Sequence, residues 1–468
     1  MQHVRDHFDH LADVRARFVR RNRYYYADLD RWLSYIVPRD ARVVELGCGI
    51  GNIIKALPNA EKTGIDFSPK MVEAAKKHDH TGTQYLVDDI EQLKHAESYD
   101  YVLLIDTINS LQDVQKALTD VRVKLCHDHT RLVITYYNYL WEPLLRVGQR
   151  VGIKTPIPEQ SWLSRGDVHA LLATSNFEIV TEGQRLLFPR WIPALSWLLN
   201  RFVALVPGIR RLCLTQYVVA RPRPYGRKEY SVSIVIPARN EAGNIERALQ
   251  SMPRFGTAQE IIFVEGNSRD DTWPLIQEMA EKYKDQWTIR ILQQQGKGKG
   301  DAVRAGFAVA KNDMLMILDA DLTVDPTELP KFYDVLASGA AEFANGSRLV
   351  YPMEKHAMQF FNAIANTCFG WIFSWLLGQR LKDTLCGTKV LLRSDYDRIA
   401  AGRSFFGDFD PFGDFDLLFG ASKLNLKILD VPVRYKDRTY GQTNIQRWRH
   451  GVLLLRMCVF AFRRMKML

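Results

Sequence analysis

Short apolar runs of strand length alternate with amphipathic stretches of helix length along most of the chain, and they do so in two separate series. Strands that alternate with helices predict a parallel sheet covered by helices, because each helix returns the chain to the same edge of the sheet. The first series begins with ARVVELGCGIGN at residues 41–52, and the second with YSVSIVIPARNEAGNI at residues 230–245. The sequence therefore predicts an α/β protein with two doubly wound domains.

The two series are separated by RPRPYGRKE, residues 221–229, where two prolines, a glycine and four basic residues interrupt the periodic pattern. Such a composition is typical of an exposed linker. A chain of 468 residues also exceeds the size of a single core. We predict a first domain over residues 1–222, with an apolar C-terminal extension at about 181–220. A linker over 223–229 and a second domain over 230–468 follow.

The formal charge of +10 indicates an anionic partner: a nucleic acid, a phosphate-bearing substrate or an acidic membrane surface. The basic residues cluster beside apolar helices and in a glycine-rich loop rather than on one continuous face, so we expect no nucleic acid. The six cysteines are scattered without a CxxC pair, which indicates neither a zinc site nor a disulfide framework. A charged N-terminus without an apolar core predicts no signal peptide, and we expect a cytoplasmic protein.

In the first series, a β-branched strand in VVELGCGIG runs into Gly47, Gly49 and Gly51. Glycines at this spacing let the backbone turn tightly and approach a ligand, although a plain strand-to-helix turn has the same pattern. Asp66 ends the next strand, where a ribose diol would donate two hydrogen bonds to its carboxylate. Asp89 ends the third strand in YLVDDIEQL. The pattern therefore favours a nucleoside cofactor.

The order of these motifs, continued by YDYVLLIDTI, resembles the class I S-adenosylmethionine-dependent methyltransferases over residues 1 to about 180. The resemblance implies that Glu45 and the three glycines hold the methionine part of S-adenosylmethionine, that Asp66 holds the ribose, and that Asp89 and Ile90 hold the adenine. Asp106 would face the methyl group or its acceptor. Further candidates for catalysis are Tyr136, Tyr137 and Asn138, although strand-end packing is the simpler explanation of the two tyrosines. The sequence does not identify the methyl acceptor.

In the second series, the apolar run MLMIL leads directly into Asp319, Asp321 and Asp325. Carboxylates this close repel one another, and burying them is costly unless a cation neutralises them. Mg²⁺ and Mn²⁺ prefer oxygen ligands, commonly one or two protein carboxylates with the phosphates of a substrate. The alternative is an acidic turn after a buried strand.

The motifs SIVIPARNEAGNI, EIIFVEGNSRDDTW and GKGKGDAVRAGFAVA precede this acidic run, and together they resemble the family 2 glycosyltransferases of the GT-A fold over residues 230–445. The resemblance implies that Asp319 and Asp321 bind a divalent metal that bridges to the diphosphate of a nucleotide sugar. Asp321 would be catalytic through that metal. The residues implied for the donor nucleotide sugar are Pro237, Ala238, Asn240, Glu241, Glu265, Lys299 and Asp319, with Lys297 and Arg304 in the same basic loop.

Similar segments occur in the same order in glycosyltransferases of the dolichol-phosphate mannosyltransferase type, which implies a polyprenyl-phosphate or lipid-linked acceptor. A phosphate acceptor is already ionised and needs cations, for which the candidates are Arg348, Lys389 and Arg438. A sugar hydroxyl would instead need Asp414 or Asp416 as general base. The sequence departs from that type at Asn444, where a lysine is common.

Three apolar segments with basic residues nearby predict peripheral association with an anionic membrane surface. Residues 357–379 carry no charge, but polar and small residues recur every three or four positions, so we expect a helix that lies on a bilayer or on the domain. Arg449, Arg456 and Arg463 share one face of a predicted C-terminal helix. The segment at 185–212 is broken by prolines. We expect the protein at the inner face of the membrane.

These observations favour a bifunctional enzyme in which metal-dependent, inverting glycosyl transfer and methyl transfer serve one glycan pathway. One alternative retains the glycosyltransferase and makes the N-terminal half a noncatalytic module that binds S-adenosylmethionine or acts as a scaffold. Another makes the C-terminal half a nucleotidyltransferase that forms nucleotide sugars.

Overall fold

The computed structural model describes residues 2–155, 160–351, 360–405, 414–440 and 447–467. The chain divides into two compact units, Met1–Arg223 and Pro224–Lys466. We call them the N-terminal unit and the C-terminal unit.

The N-terminal unit is built on one seven-stranded sheet with the order β3-β2-β1-β4-β5-β7-β6. Strands β1 to β5 are parallel, and β7 is antiparallel to both β5 and β6. The strands are β1 Val43–Leu46, β2 Lys62–Asp66, β3 Gln84–Val87, β4 Tyr99–Ile105, β5 Cys126–Tyr137, β6 Phe177–Arg185 and β7 Thr215–Pro222. The helices are α1 Gln2–Arg21, α2 Arg23–Ile36, α3 Pro69–His78, α4 Val114–Lys124, α5 Glu142–Arg150, α6 Arg165–Thr174 and α7 Leu195–Arg201.

The strand order of this sheet reverses between β1 and β4, which creates a crevice near the centre of the sheet. The strands succeed one another outward from β1 to β3 on one side, and the order resumes with β4 on the other side of β1. In open α/β sheets, ligands bind at such a switch point, outside the carboxyl ends of the strands. Both faces of the sheet are covered, with Val43, Leu103 and Val133 in one buried cluster and Val44, Val102 and Leu132 in another.

The segment predicted as an apolar extension at about 181–220 differs from that expectation. Strand β6 enters it and β7 ends just beyond it, and both are hydrogen-bonded members of the sheet. Antiparallel strands at a sheet edge have one partly exposed face, so β6 lacks the continuous apolar run that identifies β1 or β4 in the sequence.

The C-terminal unit contains a second seven-stranded sheet, with the order β10-β9-β8-β11-β13-β12-β14. Strands β8 to β11 are parallel, β13 is antiparallel to β11 and β12, and β14 is parallel to β12. The strands are β8 Val232–Ala238, β9 Gln259–Glu265, β10 Thr288–Gln293, β11 Met314–Ile317, β12 Phe343–Ser347, β13 Lys389–Leu392 and β14 Ile428–Pro432. The helices are α8 Ala242–Gln250, α9 Thr272–Lys282, α10 Lys299–Val309, α11 Leu329–Ala337, α12 Phe360–Leu377, α13 Arg393–Ala401, α14 Asp414–Lys423 and α15 Arg447–Met465. The predicted fold class, two doubly wound α/β domains, is confirmed.

Asn366, Gly370 and Ser374 of helix α12 face the protein rather than solvent. The Asn366 amide donates to the Asp383 carboxylate at 2.8 Å, and the Ser374 hydroxyl donates to the Leu381 carbonyl at 2.9 Å. An added Cβ at Gly370 would lie 2.7 Å from the Lys382 carbonyl oxygen. Trp371, on the other side, is 72% exposed. These three residues of the polar stripe thus pack on the domain, whereas residues 357–359 and the side chain of Asn362 lie outside the described part.

Helix α15 leaves apolar and basic side chains in solvent together. Val452, Leu455 and Val459 are exposed, and so are Arg456 and Arg463. The side chain of Arg449 lies outside the described part. Across the described ranges, no helix combines the length and apolar character needed to cross a bilayer.

Candidate active sites

The N-terminal unit encloses a cavity of about 740 Å³ at the carboxyl ends of its central strands. Gly47 and Gly49 from the turn after β1, Asp66 from β2 and Asp106 from the turn after β4 all line it. Helices α1 and α2 contribute Arg15 and other residues to the same wall. The structure therefore brings together residues that lie far apart in the sequence, at the switch point of the sheet.

The glycine turn after β1 is closely packed. Gly47, Gly49 and Gly51 all have positive φ angles, which residues other than glycine adopt only at a cost in free energy. A Cβ at Gly47 would lie 2.5 Å from Cγ2 of Thr107, and one at Gly51 would lie 2.2 Å from the Tyr85 hydroxyl. A Cβ at Gly49 would meet no atom within 4 Å. Gly49 is therefore the glycine of this turn at which the backbone faces open space.

Asp66 is held by backbone amides. Its two oxygens accept hydrogen bonds from Gly49 N at 2.8 Å and from Ser68 N at 2.9 Å. Burial raises the pKa of Asp66 to about 6, against the opposing effect of these amides. Each oxygen retains a lone pair, so the carboxylate can accept hydrogen bonds from a ribose diol.

The other residues implied for the cofactor differ in position. Asp89 and Ile90 line the cavity, and the Asp89 carboxylate accepts from the amide of Glu91 at 2.9 Å. Glu45 is buried behind the glycine turn, and its carboxylate accepts from Ile54 N at 2.9 Å. Burial raises the pKa of Glu45 well above its usual value. Glu45 thus supports the turn from behind the cavity wall.

Asp106 lies at the centre of a network of hydroxyl groups. It adopts a left-handed φ of 55°, and its carboxylate accepts from the hydroxyls of Tyr25 at 2.5 Å, Tyr137 at 3.0 Å and Thr135 at 2.9 Å. Burial, with the nearby Asp106 charge, raises the pKa of both Tyr25 and Tyr137 well above the usual value. Both tyrosines are therefore neutral donors, and Asp106 is oriented by three hydroxyls.

Three residues of this network were not identified from the sequence. Tyr25 comes from α2, Arg15 from α1 and Lys154 from the segment after α5. Arg15 donates to the Thr155 hydroxyl at 2.7 Å, and the Lys154 ammonium lies 4.6 Å from the centroid of the Tyr137 ring. Burial lowers the pKa of Lys154 to about 8. The run RYYY, three aromatic rings in the first turn of a helix, was the available signal.

Tyr136 and Asn138, the remaining candidates, point away from the cavity. Tyr136 packs in the buried cluster on the opposite face of the sheet. The Asn138 side chain donates to the carbonyls of Arg211 at 2.7 Å and Cys213 at 2.9 Å. Alternation along β5 explains the difference, because adjacent side chains of a strand point to opposite faces.

In the C-terminal unit, Asp319 and Asp321 follow the buried strand β11, and each is paired with a cation. The Lys299 ammonium lies 2.5 Å from Asp319, and the Arg438 guanidinium donates to Asp321 at 2.6 Å. The Thr323 hydroxyl also donates to Asp321 at 2.8 Å. Burial acts to raise the pKa of Asp319, but the charge and hydrogen bond of Lys299, with the charges of Lys389 and Arg348, together hold the pKa below its usual value.

Gly387, which precedes β13, closely approaches this pair. A Cβ at Gly387 would lie 2.1 Å from an Asp319 carboxylate oxygen and 2.2 Å from the Lys299 ammonium. Strand β13 is antiparallel to β11, which brings its start beside the end of β11. A single glycine in the sequence gives no indication of this contact.

Glu241 and Arg438 connect the predicted nucleotide pocket to the acidic motif. Arg438 donates to Glu241 at 3.1 Å while its other nitrogen binds Asp321, and Asn244 donates to the second Glu241 oxygen at 2.7 Å. Burial raises the pKa of Glu241 to about 7, although Arg438 opposes the shift. Arg438 was predicted to bind the acceptor phosphate. In the structure it instead contacts Glu241 and Asp321, which belong to the predicted donor site.

The remaining donor residues form the adjoining wall. Pro237 and Ala238 end β8, and Asn240 follows with a left-handed φ of 56°. The Asn240 side chain accepts from Arg269 N at 2.8 Å, while the Glu265 carboxylate accepts from Ser268 N at 2.5 Å. These carboxyl-terminal ends of β8 and β9 thus converge through the loop at 266–269. In the basic loop, Lys297 is exposed, and Arg304 lies near Asp301 at 3.9 Å.

The other acceptor candidates have protein partners. Arg348 makes a two-pronged ion pair with the fully buried Asp383, at 2.7 and 2.9 Å. Lys389 is fully buried and donates to the Cys386 carbonyl at 2.5 Å. Asp416 accepts from Arg403 at 3.1 Å. Asp414 begins α14, but its side chain lies outside the described part, as does the whole of Asn444.

The donor set at the end of β11 is compatible with a divalent metal. Within the ranges that the structure describes, no three His, Cys, Asp or Glu side chains converge on one metal position. Two carboxylates are nevertheless the protein contribution that Mg²⁺ usually has beside a bound phosphate group. Asp319 and Asp321 would hold the ion, and phosphate and water would complete its coordination.

Family comparisons assign both units. Residues 44–127 match the family described as Methyltransferase domain, and residues 233–395 match the family described as Glycosyl transferase family 2. The chain joins a methyltransferase domain to a family 2 glycosyltransferase domain. The two folds are the Rossmann-like methyltransferase fold and the GT-A fold. The C-terminal unit thus contains a glycosyltransferase family 2 domain.

Curated relatives are similar to one unit or the other. A dolichol-phosphate mannosyltransferase of Pyrococcus furiosus is 34% identical, covering 25% of this chain and 33% of the relative. An undecaprenyl-phosphate 4-deoxy-4-formamido-L-arabinose transferase of Pectobacterium carotovorum subsp. carotovorum is 35% identical, covering 23% and 34%. A malonyl-[acyl-carrier protein] O-methyltransferase of Bacillus cytotoxicus is 27% identical, covering 35% and 62%. The chain thus spans from one third to less than two thirds of the length of these relatives.

Proposed function

We propose that this protein is a bifunctional enzyme that transfers a sugar from a nucleotide sugar to a lipid-linked acceptor and a methyl group from S-adenosylmethionine in the same glycan pathway. The observation that carries the first activity is the pair of carboxylates at the end of β11, each of which forms an ion pair with a lysine or arginine side chain. The names of the two glycosyltransferase relatives, which specify dolichol phosphate and undecaprenyl phosphate, support a polyprenyl-phosphate acceptor.

The geometry suggests how the C-terminal unit would assist glycosyl transfer. Negative charge develops on the nucleoside diphosphate as the sugar leaves, and a bound Mg²⁺ or Mn²⁺ would stabilise that charge. Asp319 and Asp321 would hold the ion, and Thr323 fixes the orientation of Asp321. Lys299 and Arg438 would then be released from the carboxylates and become available to the diphosphate oxygens. The family resemblance implies inversion at the anomeric carbon.

The N-terminal unit has the groups that methyl transfer requires for alignment. The bound cofactor would supply an electrophilic methyl group on a sulfonium. Gly49 would face its methionine part, and Asp66 and Asp89 would hold its nucleoside part. Asp106, held by Tyr25, Tyr137 and Thr135, would provide negative charge that stabilises the cationic sulfonium.

Peripheral association with the inner face of a membrane completes the proposal. A polyprenyl-phosphate acceptor resides in a bilayer, and the exposed apolar and basic residues of α15 suit an anionic lipid surface.

Metal-dependent thermal stabilisation tests the glycosyltransferase proposal. We expect one member of a panel of UDP-, GDP- and CMP-sugars to raise the melting temperature when Mg²⁺ or Mn²⁺ is present. The shift should vanish in Asp321→Ala. The matched control is Asp325→Ala, in the same acidic run, which should retain the shift. The Asp325 carboxylate caps the turn at Thr327 and pairs with Lys436, so it is already engaged. A metal-dependent shift retained in Asp321→Ala would contradict the metal site.

A second candidate, a noncatalytic S-adenosylmethionine-binding N-terminal unit, is favoured by one observation. Asp106 accepts three hydrogen bonds from hydroxyl groups, which makes its carboxylate less available as a general base. Calorimetry with S-adenosylmethionine, followed by a methyl-transfer assay on the glycan product, distinguishes the two. Binding with no transfer to the product would favour the noncatalytic module.

A further inference from the structure

Exposed apolar side chains recur along two segments that both reach the methyltransferase cavity. We call residues 139–151 and 189–212 the cavity rim. Large apolar side chains recur along both segments in solvent-exposed positions, with Leu144 64% exposed and Trp191 54% exposed. The exposed side chains are Tyr139, Leu140, Leu144, Val147, Val151, Trp191, Ile192, Leu195, Trp197, Leu198, Phe202, Val206, Ile209 and Leu212. A cluster of this kind marks an interaction surface rather than ordinary solvent exposure.

The two segments of the cavity rim are joined to each other and to the cavity. The Trp141 indole donates to the Leu212 carbonyl at 2.7 Å. Leu144, Val147 and Val151 line the cavity from the first segment, and Arg190 lines it from the second. The apolar surface therefore continues into the cavity entrance.

Side-chain packing within the second segment keeps its apolar residues on the outside. The fully buried Ser196 hydroxyl donates to the Arg190 carbonyl at 2.6 Å and accepts from Ile192 N at 2.7 Å. This polar contact fixes the start of α7 from the protein side. Leu195, Trp197 and Leu198 of the same helix are left in solvent.

The charges of the cavity rim are almost all positive. Residues 189–212 contain four arginines and no acidic residue, and Arg210 and Arg211 are exposed. In the first segment the acidic residue Glu142 is paired with Arg146, while Arg150 is exposed. Exposed tryptophan, leucine and arginine side chains in one surface are complementary to an anionic lipid bilayer.

We infer that the cavity rim docks on an anionic lipid bilayer, so that the methyl acceptor reaches the methyltransferase cavity from the lipid surface. This inference rests on the proposed methyltransferase function. It assigns the N-terminal unit a membrane contact of its own, in addition to the exposed face of α15.

Vesicle flotation of the full-length chain tests the docking surface. The starting protein carries Val452→Ser, Leu455→Ser and Val459→Ser, which removes the exposed apolar face of α15. We expect it to bind vesicles of phosphatidylcholine with phosphatidylglycerol more tightly than vesicles of phosphatidylcholine alone. Adding Leu195→Ser, Trp197→Ser and Leu198→Ser should weaken partitioning roughly tenfold or more. Val123→Ser, at an exposed position on α4, is the matched control and should change nothing.

Unchanged partitioning after the three α7 substitutions would overturn the inference. Dimerisation of the starting protein that these substitutions abolish, measured by light scattering, would also overturn it by showing that a second copy covers the surface. Circular dichroism and thermal unfolding verify that each variant is folded. Binding of S-adenosylmethionine is measured separately by calorimetry. If the cofactor does not bind, the proposed function is contradicted, but the vesicle result remains valid.

A polarity-sensitive dye tests the orientation of the cavity mouth. The exposed Cys368 is first replaced by serine, and the dye is attached at Val147→Cys or at Val123→Cys. We expect vesicles to shift the emission to shorter wavelength at position 147 and not at position 123. A shift at 123 alone, or no shift at either position in vesicle-bound protein, would contradict the proposed orientation.

Discussion

In the methyltransferase unit, neutral hydrogen-bond donors hold the cavity carboxylates. In the glycosyltransferase unit, cations hold the carboxylates of Asp319 and Asp321. Asp66 is bonded to two backbone amides and Asp106 to three hydroxyls. Asp319 and Asp321 are paired with Lys299 and Arg438. Burial dominates at Asp66, whose pKa rises to about 6, whereas Lys299 holds the pKa of Asp319 below its usual value.

The difference matches the charge of the proposed ligands. A sulfonium cofactor brings its own positive charge, so neutral donors leave the negative field of the cavity available to it. A metal with a nucleotide diphosphate brings charges of both signs. Lys299 and Arg438 neutralise the carboxylates before binding and match the phosphates after it. We therefore expect the two sites to respond differently to loss of a charged partner.

The largest expected effect concerns a buried ion pair in the glycosyltransferase unit. Arg348→Met leaves Asp383 fully buried without its cation and should reduce the free energy of unfolding by about 3–5 kcal/mol. The exposed pair Arg227–Asp334 provides the control, because water screens this pair and Arg227→Met should change stability far less. Denaturant unfolding measures both. Unchanged stability together with a raised KM for the acceptor would instead assign Arg348 to acceptor binding.

The next effect concerns the Lys299–Asp319 pair. Gly387→Ala places a methyl group where these two side-chain ends now lie, so the pair must move. We expect metal-dependent donor binding to weaken roughly tenfold, with a smaller change in stability, because flexible side-chain ends can yield. Gly402→Ala is the control, since its Cβ would lie 3.6 Å or more from its neighbours. Equal donor affinities for the two variants in calorimetry would contradict the contact.

A pH series sharpens the contrast at Asp66. Protonation of Asp66 below about pH 6 removes an acceptor for the ribose, so S-adenosylmethionine affinity should fall up to about tenfold per pH unit below that value. Asp66→Asn should bind weakly with no such slope. Without cofactor, the raised pKa implies that the contribution of Asp66 to stability is lost as pH rises from 3.8 through about 6. Calorimetry at several pH values measures this dependence. If S-adenosylmethionine affinity changed with pH by the same slope in the wild type and in Asp66→Asn, the assignment would be wrong.

The smallest effect concerns the hydroxyl network. Tyr25→Phe and Tyr137→Phe each remove one donor from Asp106 and should each cost about 1 kcal/mol of stability. The double variant should deviate from additivity, because both hydroxyls bind one carboxylate. Tyr139→Phe, at an exposed position, should have no effect. Additive losses in urea unfolding would show that the two hydroxyls act independently.

The central strands could be predicted from sequence because their signal is local. Strands β1 to β5 and β8 to β11 lie in the predicted apolar runs, and several site residues lie at the carboxyl ends of these strands. Parallel strands buried on both faces require continuous apolar runs, and glycine and aspartate mark where they end. The positions of Gly49, Asp66, Asp106, Asp319 and Asp321 follow from that rule.

The partners of those residues were decided by tertiary structure. Lys299 was predicted to bind the donor nucleotide sugar and Arg438 the acceptor phosphate, but both contact carboxylates, and Arg348 is paired with Asp383. Tyr25 and Gly387 reach the sites from α2 and from the start of β13, far away in the chain. The sequence by itself determined two α/β domains and the carboxyl ends that carry their chemistry, because hydrophobic periodicity is local. Only the tertiary structure decided which cation or hydroxyl meets each carboxylate, because such pairing depends on distances between elements that periodicity does not encode.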